Sequence, residues 1–216
     1  MLYDLTPPIT PALAVWPGDT PPSRRVLCDL AGGDTITLST LSATVHLGAH
    51  ADGPNHYAKY ATGLNTPAPG VGERSLEYYL GPCQVVHARV NPTERLTPDH
   101  LLGALGTITE KRVLIRTGTF PDPHTFNDDF AALSVELIDE LASRGVITIG
   151  IDTPSVDLFT SKDLPAHHAM HRHDMAILEG LVLTDVPAGV YELIALPLRL
   201  LGFDASPVRA VLRTLN

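Results

Sequence analysis

Residues 46–56 read His46-Leu47-Gly48-Ala49-His50-Ala51-Asp52-Gly53-Pro54-Asn55-His56, and this stretch dictates how the chain must fold. Three imidazoles and a carboxylate stand close together. Apart from Asn55, their company is small residues and Leu47. Neutral imidazole and carboxylate are the ligands of a borderline divalent ion such as zinc. Their spacing demands a bend. As a straight strand the segment would hold His46 and Asp52 ~20 Å apart. As a helix it would put His46 and His50 on one face and Asp52 elsewhere. All three reach one ion, through ~2 Å bonds, only if the chain folds back on itself. Gly48 and Gly53 supply backbone freedom for that, and Pro54 breaks any continuing element. Histidine-rich loops can also be plain solvated surface, but such a loop has little reason to hold so few flexible polar residues.

Further along lies a second cluster: His167, His168, His171 and His173, followed by Glu179. On a helix His167 and His171 share a face, while His168 and His173 point elsewhere, so not all four can be ligands of one site. The plain reading of the remainder is a hydrated helix face. Glu179 stands in Ala-Ile-Leu-Glu-Gly-Leu-Val. A carboxylate there lies at a strand end or is costly to bury unpaired, and a metal ion would remove that cost. One His and one Glu from this region, added to His46, His50 and Asp52, would complete a site for two ions. Carboxylates bridge well because they carry two oxygens.

The chain has 216 residues, 44% of them hydrophobic and 18% charged, enough for one sizeable core. We find no repeat, low-complexity tract or linker, so 1–216 reads as one domain. The formal net charge of −9 comes without a basic run, which argues against a nucleic-acid partner. The opening Met-Leu-Tyr-Asp-Leu-Thr-Pro-Pro has neither a basic nor an apolar leader region. The apolar stretch over 192–203 is broken by Pro197 and Arg199 and is too short to span a bilayer. Cys28 and Cys83 make no disulfide framework and read as buried apolar residues. A cytoplasmic protein without membrane contact is expected.

Six prolines between Pro7 and Pro22 predict an ordered but irregular arm after a short first strand. Periodicity predicts strands over 25–30, 35–45, 84–90, 112–117, 146–151, 181–183, 191–196 and 208–212. In the second of these, Ile36 and Leu38 alternate with Thr37 and Ser39, a half-buried pattern. Helices are predicted over 97–105, 134–144 and 165–176, the second with Ser134 as N-cap and Gly145 at its stop. Residues 53–74 read as a long loop. The mixture implies an α/β or α+β domain around a curved sheet. His87, His100 and His124 are isolated, and Asp152 supports the site at most from outside. No Gly-x-Ser-x-Gly elbow is present, so a serine nucleophile has no seat.

The segment 46–56 resembles the His-x-Gly-Thr-His-x-Asp-x-Pro-x-His signature of the cyclase-like metal-dependent hydrolases, and within them the bacterial kynurenine formamidase branch. The likeness extends to residues 2–21, 164–181 and 186–212. Ala49 replaces the family's usual Thr, as is typical of that branch. The resemblance implies a single α/β domain of the swivelling β/β/α type, with a barrel-like mixed sheet and few helices, assembled at least as a homodimer. It implies two divalent ions, Zn2+ first and Mn2+ or Co2+ as alternatives. His46, His50 and Asp52 would hold one, with Asp52 reaching the other; His167 would bind the second and Glu179 would bridge. His56 would be the acid/base, and Trp16 would lie against the substrate's aromatic ring. The implied reaction is hydrolysis of N-formyl-L-kynurenine in tryptophan degradation. Opening of a cyclic aryl amide such as isatin, and metal binding without catalysis, are the competing readings.

Overall fold

The structure is a computed structural model in which residues 1–101 and 103–215 are described. Its strands are β1 (Leu2–Asp4), β2 (Ser23–Cys28), β3 (Leu38–Ser42), β4 (His50–Asp52), β5 (Leu80–His87), β6 (Arg95–Leu96), β7 (Arg112–Arg116), β8 (Ala132–Leu133), β9 (Thr148–Ile151), β10 (Ala176–Glu179), β11 (Gly189–Ile194), β12 (Ala205–Pro207) and β13 (Val211–Thr214). Two α-helices are seen among the described residues, α1 (Val135–Ser143) and α2 (Pro165–Arg172).

Runs such as Val-Leu-Ile in β7 and Ile-Gly-Ile in β9 are apolar on both faces, as strands buried on both sides must be. They form the parallel centre of a nine-stranded sheet ordered β1-β13-β11-β5-β7-β9-β10-β4-β12. The pairs from β5 to β10 are parallel, and the flanking pairs on both sides are antiparallel. On one face Ile115, Ile149, Ile151 and Ile177 pack against Leu137, Ile138 and Leu141 of α1 and Ala166, Ala169 and Met170 of α2. On the other, Leu114 and Leu178 pack against Leu193 and Leu212 of the same sheet. The sheet thus curls into a half-barrel over its own second core. The α/β class with few helices is as expected. No helix among the described residues is long and apolar enough to cross a membrane.

Several expected elements shift. Residues 181–183 are not a strand: β10 comes just before them, and Gly180 at φ +65° turns the chain out of the sheet. The third helix ends at Arg172, because Asp174 takes φ +51°. The expected helix over 97–105 is two 3-10 turns, Pro98–Leu101 and Ala104–Thr107, and Leu102 lies outside the described residues. Of the strand expected over 208–212, only 211 and 212 are in a strand, at the start of β13, and 208–210 connect β12 to it. Strands β2 and β3 pair only with each other as a two-stranded ribbon. Ile36 and Leu38 near it are 55% and 48% exposed, so the alternation there does not mark a buried face. Cys28, on this ribbon, is half-buried rather than buried; Cys83 is buried in the core.

The signature segment does fold back, but it contains a strand: β4 occupies its middle, wedged antiparallel between β10 and β12. Gly48 makes the turn at φ +56°, whereas Gly53 has an ordinary φ and is needed for space, since a Cβ there would lie 2.5 Å from the Val71 nitrogen. Gly180 meets the same segment from the other side: its Cβ would lie 2.2 Å from the Gly48 carbonyl oxygen. Gly180→Ala would combine left-handed strain with a backbone collision. It should destabilise the fold by about 2 kcal/mol or more in denaturant unfolding. Wild-type stability in this variant would show that the close approach is not a constraint.

Candidate metal centre

β4 and β10 are antiparallel neighbours with Glu179 opposite His50. In a strand alternate side chains share a face, so His50 and Asp52 project together from β4. α2 runs across that face and presents His167, which is buried, to the same point. The result is a compact knot. Asp52 Oδ1 lies 3.2 Å from His46 Nδ1 and 3.6 Å from His50 Nε2, and Asp52 Oδ2 lies 3.6 Å from His167 Nε2. Glu179 Oε2 lies 3.3 Å from His50 Nε2 and its Oε1 3.6 Å from His167 Nε2. Each carboxylate therefore straddles the same two imidazoles. His50, Asp52 and Glu179 offer atoms within 4.8 Å of one another, and so do His46, Asp52 and His56.

The outer ring nitrogens are engaged elsewhere, which aims the inner ones. His50 Nδ1 donates to the Gly48 carbonyl at 2.8 Å. His46 Nε2 donates to Asp204 at 3.0 Å. His167 Nδ1 donates to Asp157 at 2.9 Å; Asp157 is fully buried and also accepts from the Ala166 and His167 amides and from Arg95. Such outer partners fix tautomer and orientation in metal sites. Neither Asp157 nor Asp204 carried a spacing signal in the sequence.

The donor set fits a divalent cation. Asp52 Oδ1 and Oδ2 and His50 Nε2 are buried with no hydrogen-bond partner among the described residues, a costly state unless a cation sits among them. The electrostatics agree. Burial opposes a charge on His46, yet the Asp52 carboxylate outweighs it and holds this imidazole up at about 9. Burial likewise opposes charge on His167, but Asp157 and Asp52 raise it to about 10. Burial favours neutral Asp52, and His167 and His46 overcome that and hold it well below the carboxylate range. The knot concentrates negative potential, which favours positive charge at its centre.

The other expectations are placed as follows. His56 stands at the exposed rim, its ring centre 4.4 Å from that of His46 and its Nδ1 3.5 Å from Asp204. Of the second cluster only His167 enters the knot: His168 is exposed, His171 contacts Thr62, and His173 pairs with Asp139. His87 donates to the Val186 carbonyl, and His100 and His124 lie apart from the knot at Thr97 and Ala12. Asp152 is buried, which raises its pKa, and accepts from Thr117 and Gly118. The knot opens into a cavity of about 600 Å³, a size suited to a small organic molecule. Its far wall is aromatic, with Trp16, Phe120 and Phe126. Trp16 is 37% exposed and lies 5.0 Å from Phe159 and 5.7 Å from Phe126, centre to centre. These phenylalanines were not singled out in the sequence, because isolated apolar residues read there as core.

Residues 3–158 match the family described as "Putative cyclase". The chain belongs to the cyclase family. Two solved structures are similar over nearly the whole of both chains. One is a potential metal-dependent hydrolase with cyclase activity, at 29% identity and TM-score 0.80, covering 98% of this chain and 96% of the other. The second is a predicted metal-dependent hydrolase from Bacillus stearothermophilus, at 28% identity and TM-score 0.78, covering 98% and 97%. Isatin hydrolase A from Labrenzia aggregata shares the fold, at 24% identity and TM-score 0.84, covering 100% and 94%.

One expectation follows for the chelator-treated protein. Both imidazoles have folded pKa values above the usual 6.5, at about 9 and about 10. Their contribution to stability is complete below 6.5 and is lost as pH rises through those values. Thermal unfolding of chelator-treated protein should show Tm falling between pH 7 and pH 10, with a shallower fall in His167→Gln. Equal slopes in the two proteins would refute the assignment.

Proposed function

We propose that this chain, acting as one domain over 1–216, is a metal-dependent amidohydrolase that cleaves N-formyl-L-kynurenine to formate and L-kynurenine. The observation that carries the reading is the buried knot with its unsatisfied Asp52 and His50 atoms, opening onto a cavity with an aromatic wall. In this reading His46, His50 and Asp52 hold one ion, His167 holds a second, and Asp52 and Glu179 reach both. Zn2+ is the first choice, and Mn2+ and Co2+ also suit such nitrogen and oxygen ligands. When bound, the ions supply Lewis acidity and lower the pKa of water from ~16 to about 7. The similarity to metal-dependent hydrolases supports the reaction class, and the resemblance of segments 2–21, 46–56, 164–181 and 186–212 supports the substrate.

The chain's own residues then have definite tasks. His56 is outside the buried knot but against His46, and Asp204 holds its Nδ1 side. It takes the proton of the attacking water and returns one to the aniline nitrogen as the C–N bond breaks, both steps being accessible to imidazole near neutral pH. Trp16 lies against the aryl ring, and Phe120 and Phe126 on the same wall exclude water around it. The protein is proposed to work in the cytoplasm on this small molecule, as a homodimer or larger homo-oligomer, with neither nucleic acid nor membrane as partner.

The roles separate experimentally. Chelation should abolish turnover of N-formyl-L-kynurenine and added Zn2+ or Mn2+ should restore it; full turnover without metal would end the proposal. His50→Ala should lose metal and activity together. His56→Ala should keep its metal and lose ~10²–10⁴-fold in kcat. Because His46, Asp52 and His56 also form a ligand-like group, equal metal loss in both variants by elemental analysis would make His56 a ligand instead. Faster turnover of isatin than of the formamide would move the substrate to the cyclic amides, and no turnover of any amide would leave only a metal-binding protein.

A further inference from the structure

Arg116 ends β7, and its side chain lines the same cavity as His46, His50 and His167. It is the sole Lys or Arg on that wall among the described residues. Its backbone carbonyl is used, accepting from the Ala88 amide. Its guanidinium makes no hydrogen bond or ion pair among the described residues, although it is only partly exposed. The other arginine of the strand behaves differently: Arg112 spends its guanidinium on the carbonyls of Tyr78, Pro82 and Glu77. One end of β7 therefore uses arginine as a structural clamp, and the other places an arginine without a guanidinium partner among the described residues on the cavity wall.

The placement relative to the metal centre follows from the sheet. β7, β9 and β10 are consecutive parallel neighbours, with Ile115 opposite Ile151 and Leu178 opposite Gly150. Arg116 and Glu179 thus lie at the same, C-terminal, edge of strands two places apart, about 10 Å between backbones. Sites in open parallel sheets collect at this edge. The carboxyl side chains on the cavity wall are those of Asp19, Asp152 and Glu179, in a chain of net charge −9. An anionic ligand entering such a cavity needs a local cation, and a planar guanidinium is the one that grips a carboxylate in two places.

We propose that Arg116 is the specificity-determining residue that binds a carboxylate on the substrate, remote from the scissile amide. The substrate class is an aryl amide with an acidic tail, the aryl ring bridging between the metal knot and Arg116. This inference rests on the amidohydrolase reading above, and extends it from the reacting bond to the far end of the substrate.

The test compares N-formyl-L-kynurenine with 2-formamidoacetophenone, which keeps the ring, ketone and formamide and lacks the amino-acid tail. Wild type should favour the acid in kcat/KM. Arg116→Gln should reduce that preference about 10- to 100-fold, through KM on the acid, as loss of a charge-assisted pair does. Arg116→Lys, with the charge but not the fork, should fall between. An unchanged preference in Arg116→Gln, whether both activities fall together or neither falls, overturns the proposal. If wild type cleaves neither formamide, the amidohydrolase reading has failed, and Arg116 is judged by calorimetric binding of L-kynurenine and 2-aminoacetophenone. Tighter wild-type binding of the acid, lost in Arg116→Gln, would uphold the carboxylate site. Equal binding of both compounds, or binding of neither, would refute it.

Discussion

Asp52 and Glu179 are buried on neighbouring strands, where a carboxylate without partners is costly. An isolated carboxylate in such surroundings would take up a proton. The structure resolves this by closing imidazoles around both, with His50 and His167 each within 3.6 Å of both carboxylates. The turn at Gly48, the three-residue β4 and the close approach of Gly180 to Gly48 all serve that one meeting. Remove the antiparallel pairing of β4 with β10 and the two carboxylates separate, leaving an uncompensated charge in each place. Charge compensation across this strand pair is therefore a folding constraint as well as a chemical device.

The knot is also held from outside, by supports both near and far in sequence. His50 is aimed by the Gly48 carbonyl two residues away, His46 by Asp204 from the loop before β12, and His167 by Asp157 from the segment after β9. Asp157 is in turn fixed by Arg95 of β6. These long-range supports leave few rotamers open to the inner nitrogens. A rigid inner layer is what a divalent ion needs for stable ligation and what a reacting water needs for orientation.

Local chemistry was the part legible in the sequence. The spacing in 46–56 shows that the chain must double back, and the apolar setting of Glu179 marks it as a buried carboxylate with a partner. Ser134 and Gly145 bracket a helix as capping chemistry requires, and Ser134 does accept from the Leu137 amide. What was not legible depends on distant contacts. β4 has three residues between glycines, too few for any period to register. Asp157 and Asp204 sit in turn-like sequence, where an aspartate ordinarily caps a bend. The ribbon of β2 and β3 shows strand alternation without burial, because no second layer covers it. Residues 181–183 look like a strand by composition, but only the Leu181 amide reaches the sheet, at Ile151, and the Val182 amide donates to Leu5.

The proline-rich arm shows why anchoring and ligand binding need not be rival roles for one residue. As the chain's single tryptophan, Trp16 could be either a clasp for the arm or a wall of the cavity. Its ring packs on Phe126, Phe130 and Phe159, as an anchor would, and it also lines the cavity. Phe159 lies two residues beyond Asp157, which aims His167. The loop that receives the arm's aromatic anchor is therefore the loop that steadies one imidazole of the knot. Packing at Trp16 rigidifies the aromatic wall and, through that short loop, the His167 nitrogen that faces Asp52 and Glu179. An arm whose prolines already restrict its freedom gives up little entropy in doing so, which is how a segment without regular structure can form a fixed wall of the cavity.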